Sequence, residues 1–88
     1  MTHMQDDLDS RVLAEVASMR GLLVEPERLR LEHRLREDLG LESITLIELI
    51  VAIEDAFDIR IDPITMNLED ALISVGSLAA FVREQHRG

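Results

Sequence analysis

The segment from Ser43 to Asp58 constrains the fold more than any other part of the 88-residue chain, because its apolar residues recur with a helical period on two sides. One side is an obvious core face, made of Leu46, Leu49, Ile50, Ile53 and Phe57. The opposite side carries a second apolar row, made of Ile44, Ile47 and Val51. A helix that is apolar all round should be wholly buried, but a chain this short has too few other helices to wrap it. The pattern therefore predicts that the second row is exposed.

Acidic residues frame this second row. Glu48 and Asp55 are interleaved with it, and Glu54 lies at its edge. Contiguous apolar surface rimmed by charge usually marks a site where a partner binds. The alternative is that Ile44 or Ile47 tucks under the preceding loop as ordinary core. We favour the partner interpretation, which the position of the apolar residues supports more than the charges do.

The composition suits a small helical carrier or binding module better than an enzyme. Glycine and proline are scarce and only 2% of the residues are aromatic, which favours helices over strands. A chain of 88 residues predicts one domain, with an ordered core at about 6–85 and tails at 1–5 and 86–88. A body of this size has little room for a substrate pocket of drug-like volume.

Net charge and cysteine content restrict the classes of partner and the chemistry that the chain can use. The formal net charge of −9 disfavours nucleic acid and anionic membranes and favours proteins with basic patches. The chain has no cysteine, so any thiol chemistry requires a cofactor that brings its own thiol. No stretch is long enough to span a bilayer and no signal-peptide pattern is visible, which predicts a cytoplasmic protein.

The remaining pattern predicts three further helices. The first spans about residues 6–21, with an apolar stripe that ends before Gly21, and is made of Leu8, Val12, Val16 and Met19. Residues 22–42 fit either a short amphipathic helix or an irregular loop, with a turn at Gly40 that needs positive φ. The later part of the chain contains an Asp62-Pro63 turn and a short third helix capped by Asn67 and Asp70 and closed by Val75-Gly76. A last helix follows, and its predicted features are a cap at Ser77, inward-facing Leu78, Phe81 and Val82, and cations at Arg83 and Arg87. Ser43 is the predicted N-cap of the central helix.

The run from Asp38 to Ile44 (Asp-Leu-Gly-Leu-Glu-Ser-Ile) resembles the signature of acyl carrier proteins, in which Asp-Leu-Gly and a variable residue precede Asp-Ser-Leu. The resemblance continues through Glu48-Leu49 and residues 54–59, reaches weakly to residues 75–78, and covers about residues 8–85. It implies an all-α, four-helix bundle of three main helices and one short third helix, with a long first loop. Residues 22–42 are therefore expected to be mostly loop.

The resemblance also implies a function. Ser43 would carry 4'-phosphopantetheine, added by a separate phosphopantetheinyl transferase from coenzyme A with magnesium, and the arm would hold acyl groups as thioesters. The protein would be a monomeric carrier without catalysis of its own, serving acyltransferase or ketosynthase-type enzymes with basic patches. No histidine is close to Ser43 in sequence, so a passive acceptor fits better than an activated nucleophile. The expected partner surface consists of Glu42, Ile44, Ile47, Glu48, Val51, Glu54 and Asp55.

Several positions depart from the usual family pattern. Glu42 replaces the usual aspartate, Ile44 the usual leucine, and Thr45 an acidic residue, while Arg34, Arg36 and Arg60 add positive charge. These changes favour a dedicated carrier of polyketide or other specialised biosynthesis over a housekeeping fatty-acid role. An aminoacyl carrier of the D-alanyl or peptidyl type, or an unmodified helical interaction module, is the alternative.

Overall fold

The computed structural model describes residues 4–62 and 65–87. The helices are α1 (Met4–Ala17), α2 (Ser43–Phe57), α3 (Leu68–Ala71) and α4 (Val75–Arg87), and the loop after α1 contains a 3-10 turn at Pro26–Arg28. The extended pairing among these residues is one isolated bridge between Arg34 and Ser74. The predicted class, three main helices and a short third one, is confirmed. The expectations for residues 1–3, for Pro63 and for the last residue lie outside the described residues.

The core lies where α1, α2 and α4 meet. Its members in these three helices have at most 3% exposure and are Val12, Val16, Leu46, Leu49, Ile53, Phe57, Val75, Leu78, Ala79 and Val82. The predicted core face of α2 is confirmed, with Ile50 half-buried at its edge. The Arg11 guanidinium covers the Phe57 ring at 4.2 Å and its Nη2 donates to Ala56 O at 2.6 Å. A cation at the carboxyl end of α2 is favourable for the helix dipole, so this contact fixes α1 against α2.

The segment between α1 and α2 is a loop, as the resemblance implied, but its apolar side chains and backbone anchor it. Leu35, Leu39 and Leu41 are buried. Its backbone bonds to the segment that joins α3 to α4 and to the first turn of α4: Leu35 N–H donates to Ile73 O at 3.0 Å, and Leu31 O accepts the N–H of Gly76 at 2.7 Å. The loop therefore approaches α2 along one defined path.

The end of α1 differs from the prediction. The helix stops at Ala17, four residues before Gly21. The Ser18 hydroxyl donates to Glu15 O at 2.7 Å, and Met19 N–H bonds to Val16 O, which tightens the last turn. Gly21 does adopt positive φ, at 75°, but in the following turn.

The caps of α3 and α4 were also predicted wrongly. Asn67 occupies the N-cap position of α3 without a capping bond, and its Nδ2 donates instead to Asp70 Oδ2 at 2.9 Å. The helix ends at Ala71, and α4 begins at Val75 rather than after Ser77. Ser74 and Ser77 cap each other. The N–H of Ser74 donates to Ser77 Oγ at 2.9 Å, and the N–H of Ser77 donates to Ser74 Oγ at 3.0 Å.

The inward face of α4 agrees with the pattern. Leu78 and Val82 are fully buried and Phe81 is half-buried. Arg83 Nη2 reaches Asp9 Oδ1 at 2.6 Å, which ties α4 to α1, whereas the side chain of Arg87 lies outside the described residues. No helix in residues 4–62 and 65–87 combines the length and apolar character needed to cross a bilayer.

Candidate functional site

Ser43 is the first residue of α2 and its side chain is exposed. The prediction that Ser43 is the N-cap was wrong: Glu42 holds that position with φ −105° and ψ 175°, and makes no side-chain capping bond. The first intrahelical bond runs from Leu46 N–H to Glu42 O at 2.8 Å. The N-cap therefore lies one residue before the predicted one. The Ser43 hydroxyl is not used in capping; it accepts a hydrogen bond from Arg36 Nη2 at 3.4 Å.

The turn before Ser43 is organised by Asp38. Its Oδ2 accepts the backbone N–H of Arg34 at 2.8 Å, and Arg34 Nε lies 3.5 Å from the same oxygen. The backbone hydrogen bond from Arg34, with its guanidinium as a lesser cause, holds the pKa of Asp38 below its ordinary value of 3.8. Gly40 then turns the chain at φ 73°, as predicted. The Asp-Leu-Gly part of the motif thus shapes the backbone that leads into α2.

The second apolar row of α2 is exposed, as predicted. Ile44, Ile47 and Val51 are 72%, 64% and 50% exposed, and we call these three residues the apolar ridge. The alternative, in which Ile44 or Ile47 is covered by the loop, is wrong. The ridge begins at the residue next to Ser43 and extends two turns along the same helix.

The acidic residues around the ridge are not equivalent. Glu48 is paired with Arg20, whose Nη2 lies 3.0 and 2.9 Å from the two carboxylate oxygens. Glu54 is half-buried and accepts the backbone N–H of Ile61 at 2.8 Å, so its carboxylate partly serves the turn after α2. Glu42 and Asp55 are exposed, and neither joins an ion pair among the described residues.

The sequence did not predict the contacts that two arginines make at this site. Arg20 follows α1 and reaches Glu48 across 28 positions. Arg36 reaches Ser43 from the preceding loop. A basic residue within an acidic chain was the only available signal, and it did not say where either guanidinium would lie.

A cleft of about 340 Å³ lies between the loop before α2, Leu46 of α2 and the α3 region. Its lining residues are Arg36, Glu37, Leu46, Leu68, Glu69, Leu72 and Ile73. Met66 is not among them; it is half-buried, packs against the core, and its Sδ accepts the N–H of Asp62 at 3.4 Å. Met66 therefore contributes to packing and does not line this cleft.

The described residues fit a covalently attached phosphoester group. Ser43 offers an accessible hydroxyl in the first turn of a helix, where backbone N–H groups without intrahelical partners favour an anion. Arg36 adds a cation within hydrogen-bonding distance of that hydroxyl. A phosphopantetheine arm would therefore meet favourable charge at its point of attachment.

Comparison with known proteins agrees with this geometry. The sequence matches the family described as "Phosphopantetheine attachment site" over residues 10–82. It is 39% identical over 59 residues to an acyl carrier protein of Trieres chinensis, covering 67% of this chain and 71% of that protein. It is 30% identical over 63 residues to an acyl carrier protein of Campylobacter curvus (strain 525.92), covering 72% and 78% of the two chains.

The helical fold and the match over residues 10–82 define the class as a phosphopantetheine-binding protein. The chain belongs to the acyl carrier protein family. It is therefore a carrier and not itself a catalyst, and its prosthetic group is 4'-phosphopantetheine.

Proposed function

We propose that Ser43 is the attachment site and that the chain, acting as a single carrier domain, holds acyl intermediates as thioesters and presents them to partner enzymes. The observation that carries this proposal is the exposed Ser43 hydroxyl, which is free of any capping role at the start of α2. The serine lies within the matched region and within the signature-like run from Asp38 to Ile44.

The chain's own residues supply a platform for the group. The bound group supplies the thiol that carries the acyl chain, which a chain without cysteine lacks. Ser43 Oγ provides the ester oxygen, and the amino end of α2 stabilises the phosphodiester charge by about 0.3–1 kcal/mol. The polar contact of this hydroxyl is with Arg36, a cation that accepts no proton. Ser43 therefore depends on a separate phosphopantetheinyl transferase, with coenzyme A and magnesium, for its modification.

Intact-mass measurement tests the attachment site. Incubation with coenzyme A, magnesium and a broad-specificity transferase should add one phosphopantetheine to the wild-type chain and none to Ser43→Ala. Ser10→Ala, which changes an exposed serine on α1, is the matched control and should be modified like the wild type. An unmodified wild type, under conditions that modify another carrier, would contradict the proposal.

We further propose that partners dock on the apolar ridge and its acidic frame. The docking residues are Glu42, Ile44, Ile47, Glu48, Val51, Glu54 and Asp55. The support is the combination of exposed aliphatic side chains with acidic neighbours on the helix that begins at Ser43. The partners are the transferase and acyltransferase or ketosynthase-type enzymes with basic patches, and the carrier is a monomer when it meets them.

A charge placed on the ridge tests the docking proposal. Val51→Asp should slow modification by the transferase, because it puts a carboxylate into an apolar contact. Ala80→Asp, at an exposed apolar position of α4, is the control with the same charge change. Equal rates for the two variants, both folded by circular dichroism, would rule out the ridge as the docking surface for the transferase.

We infer that the acyl chains belong to polyketide or other specialised biosynthesis. The support is the set of departures from the usual signature, with Glu42, Ile44 and Thr45 in the motif and the extra arginines around it. We also propose a cytoplasmic location, where coenzyme A is available as the donor of the arm. Mass spectrometry of the arm in native material decides the pathway: a polyketide-type intermediate supports the inference, whereas an ordinary fatty acyl or an aminoacyl group contradicts it.

A further inference from the structure

The side chain of Arg36 is the charged group that the structure brings to Ser43. Its Nη2 donates to Ser43 Oγ at 3.4 Å from the loop before α2. The backbone around Arg36 is held on both sides: buried Leu35 donates its N–H to Ile73 O at 3.0 Å, and Arg36 O accepts the N–H of Gly40 at 3.0 Å. The guanidinium therefore extends from an anchored stretch of backbone, not from a freely moving loop tip.

Among residues 8–62 and 65–85, whose side chains the structure describes, Arg36 forms no ion pair with a carboxylate. Arg20 and Arg34 are each paired with a carboxylate, whereas the ion pairs found among these residues do not include Arg36. Its hydrogen bond is to a neutral hydroxyl, so the guanidinium is available to an anionic group at that position.

We propose that Arg36 is a positioning residue that holds the phosphodiester of the prosthetic group; this inference rests on the proposed attachment at Ser43. The phosphate would be bonded to Ser43 Oγ, the atom to which Arg36 already donates. Guanidinium–phosphate contacts are charge-assisted, and the planar fork of arginine suits two phosphate oxygens. Modification therefore converts a contact with a neutral hydroxyl into an ion pair, which holds the root of the arm on the loop side of α2.

The pair is solvent-exposed, so its strength is modest. Exposed ion pairs favour the paired form by about 1.4- to 5-fold. Paired arms thus outnumber free ones without being locked, and the arm can still be withdrawn by a partner. Added salt should reduce the preference, since exposed charges are screened.

The test is phosphorus NMR of the modified protein, after intact mass has established that each variant carries one arm. The wild-type phosphodiester should show a shifted resonance and slower local motion than free phosphopantetheine. Arg36→Gln should move both properties toward those of the free arm, and Arg36→Lys should keep only part of the effect. Arg60→Gln, which removes one exposed arginine beyond α2, is the matched control and should resemble the wild type.

A second readout uses only the wild-type chain. The Nε–H resonance of Arg36 should shift when the unmodified protein becomes modified, because the acceptor changes from a hydroxyl to a phosphate. This measurement decides the question if Arg36→Gln fails to fold or to accept the arm. Identical phosphorus spectra in wild type and Arg36→Gln, or an unchanged Nε–H resonance, would overturn the role of Arg36 while leaving the attachment at Ser43 intact. Absence of any mass gain in the wild type would instead overturn the attachment itself.

Discussion

The pairing of Arg20 with Glu48 predicts that the loss of one positive charge speeds docking. Both carboxylate oxygens of Glu48 are engaged by Arg20, and the two side chains are 43% and 79% exposed. A basic partner that uses Glu48 must first displace Arg20. An exposed pair is worth about 0.2–1 kcal/mol, so Arg20→Gln should raise association with a basic partner by about 1.4- to 5-fold. Glu48→Arg should lower it and leave the free energy of unfolding almost unchanged.

Transferase kcat/KM for the carrier is the assay, measured at about 0.01 and 1 M salt, where the Debye length is about 30 and 3 Å. The gain from Arg20→Gln should be largest at the lower salt concentration. Arg28→Gln, at another exposed loop position, controls for the change in net charge. The gain should disappear in a Glu48→Gln background, because there is no carboxylate left to release. An equal gain in that background, or from Arg28→Gln, would refute the reasoning.

Three further predictions concern the scaffold. Phe57→Ala should lower the free energy of unfolding by about 3–5 kcal/mol, because a ring with 3% exposure is removed; urea denaturation measures it, and a loss no larger than that of Phe57→Leu would contradict the packing. Gly40→Ala should cost about 1–3 kcal/mol, since φ is 73° and the new Cβ would lie 2.7 Å from Leu23 Cγ; adding Leu23→Ala should recover part of the loss, and strict additivity would argue against the clash. The lowered pKa of Asp38 stabilises the fold above pH 3.8, and this contribution is lost as the pH falls from 3.8 through the lower folded value. Thermal melts at decreasing pH should therefore show a smaller loss of stability for Asp38→Asn than for the wild type. Superimposable stability curves would show that the Asp38–Arg34 contact does not contribute to the acid sensitivity.

The helices themselves could be predicted because their apolar residues repeat with a clear period, but their ends could not. The central helix was predicted to run from Ser43 to about Asp58 and ends at Phe57. Its N-cap was placed one residue too late, because serine is a preferred N-cap residue and glutamate is not, whereas here the backbone of Glu42 makes the cap without its side chain. Ser74 and Ser77 show the same difficulty, since the two hydroxyls cap each other and the pattern could not say which one begins the helix.

The exposed ridge could be predicted from the sequence, because the chain has more apolar helix faces than its other helices can cover. A small chain with one doubly apolar helix must leave one row uncovered, and Ile44, Ile47 and Val51 are that row. The contacts of Arg20 and Arg36 could not be predicted in the same way. They depend on the path of the loop between α1 and α2, which is set by backbone bonds such as Leu35 N–H to Ile73 O.

Ser43 and the ridge lie on one helix, so the proposed attachment and docking sites would have a fixed relative position. Along an α-helix each residue advances about 1.5 Å, so Val51 lies about 12 Å along the axis from Ser43. If partners dock as proposed, every enzyme that binds the ridge would find the attachment point at the same offset and rotation, whatever that enzyme's own fold. One residue inserted between the two would turn the attachment point by about 100°. Enzymes of unrelated fold could thus receive the acyl group in the same way, because α2 sets one distance and one rotation between Ser43 and the ridge.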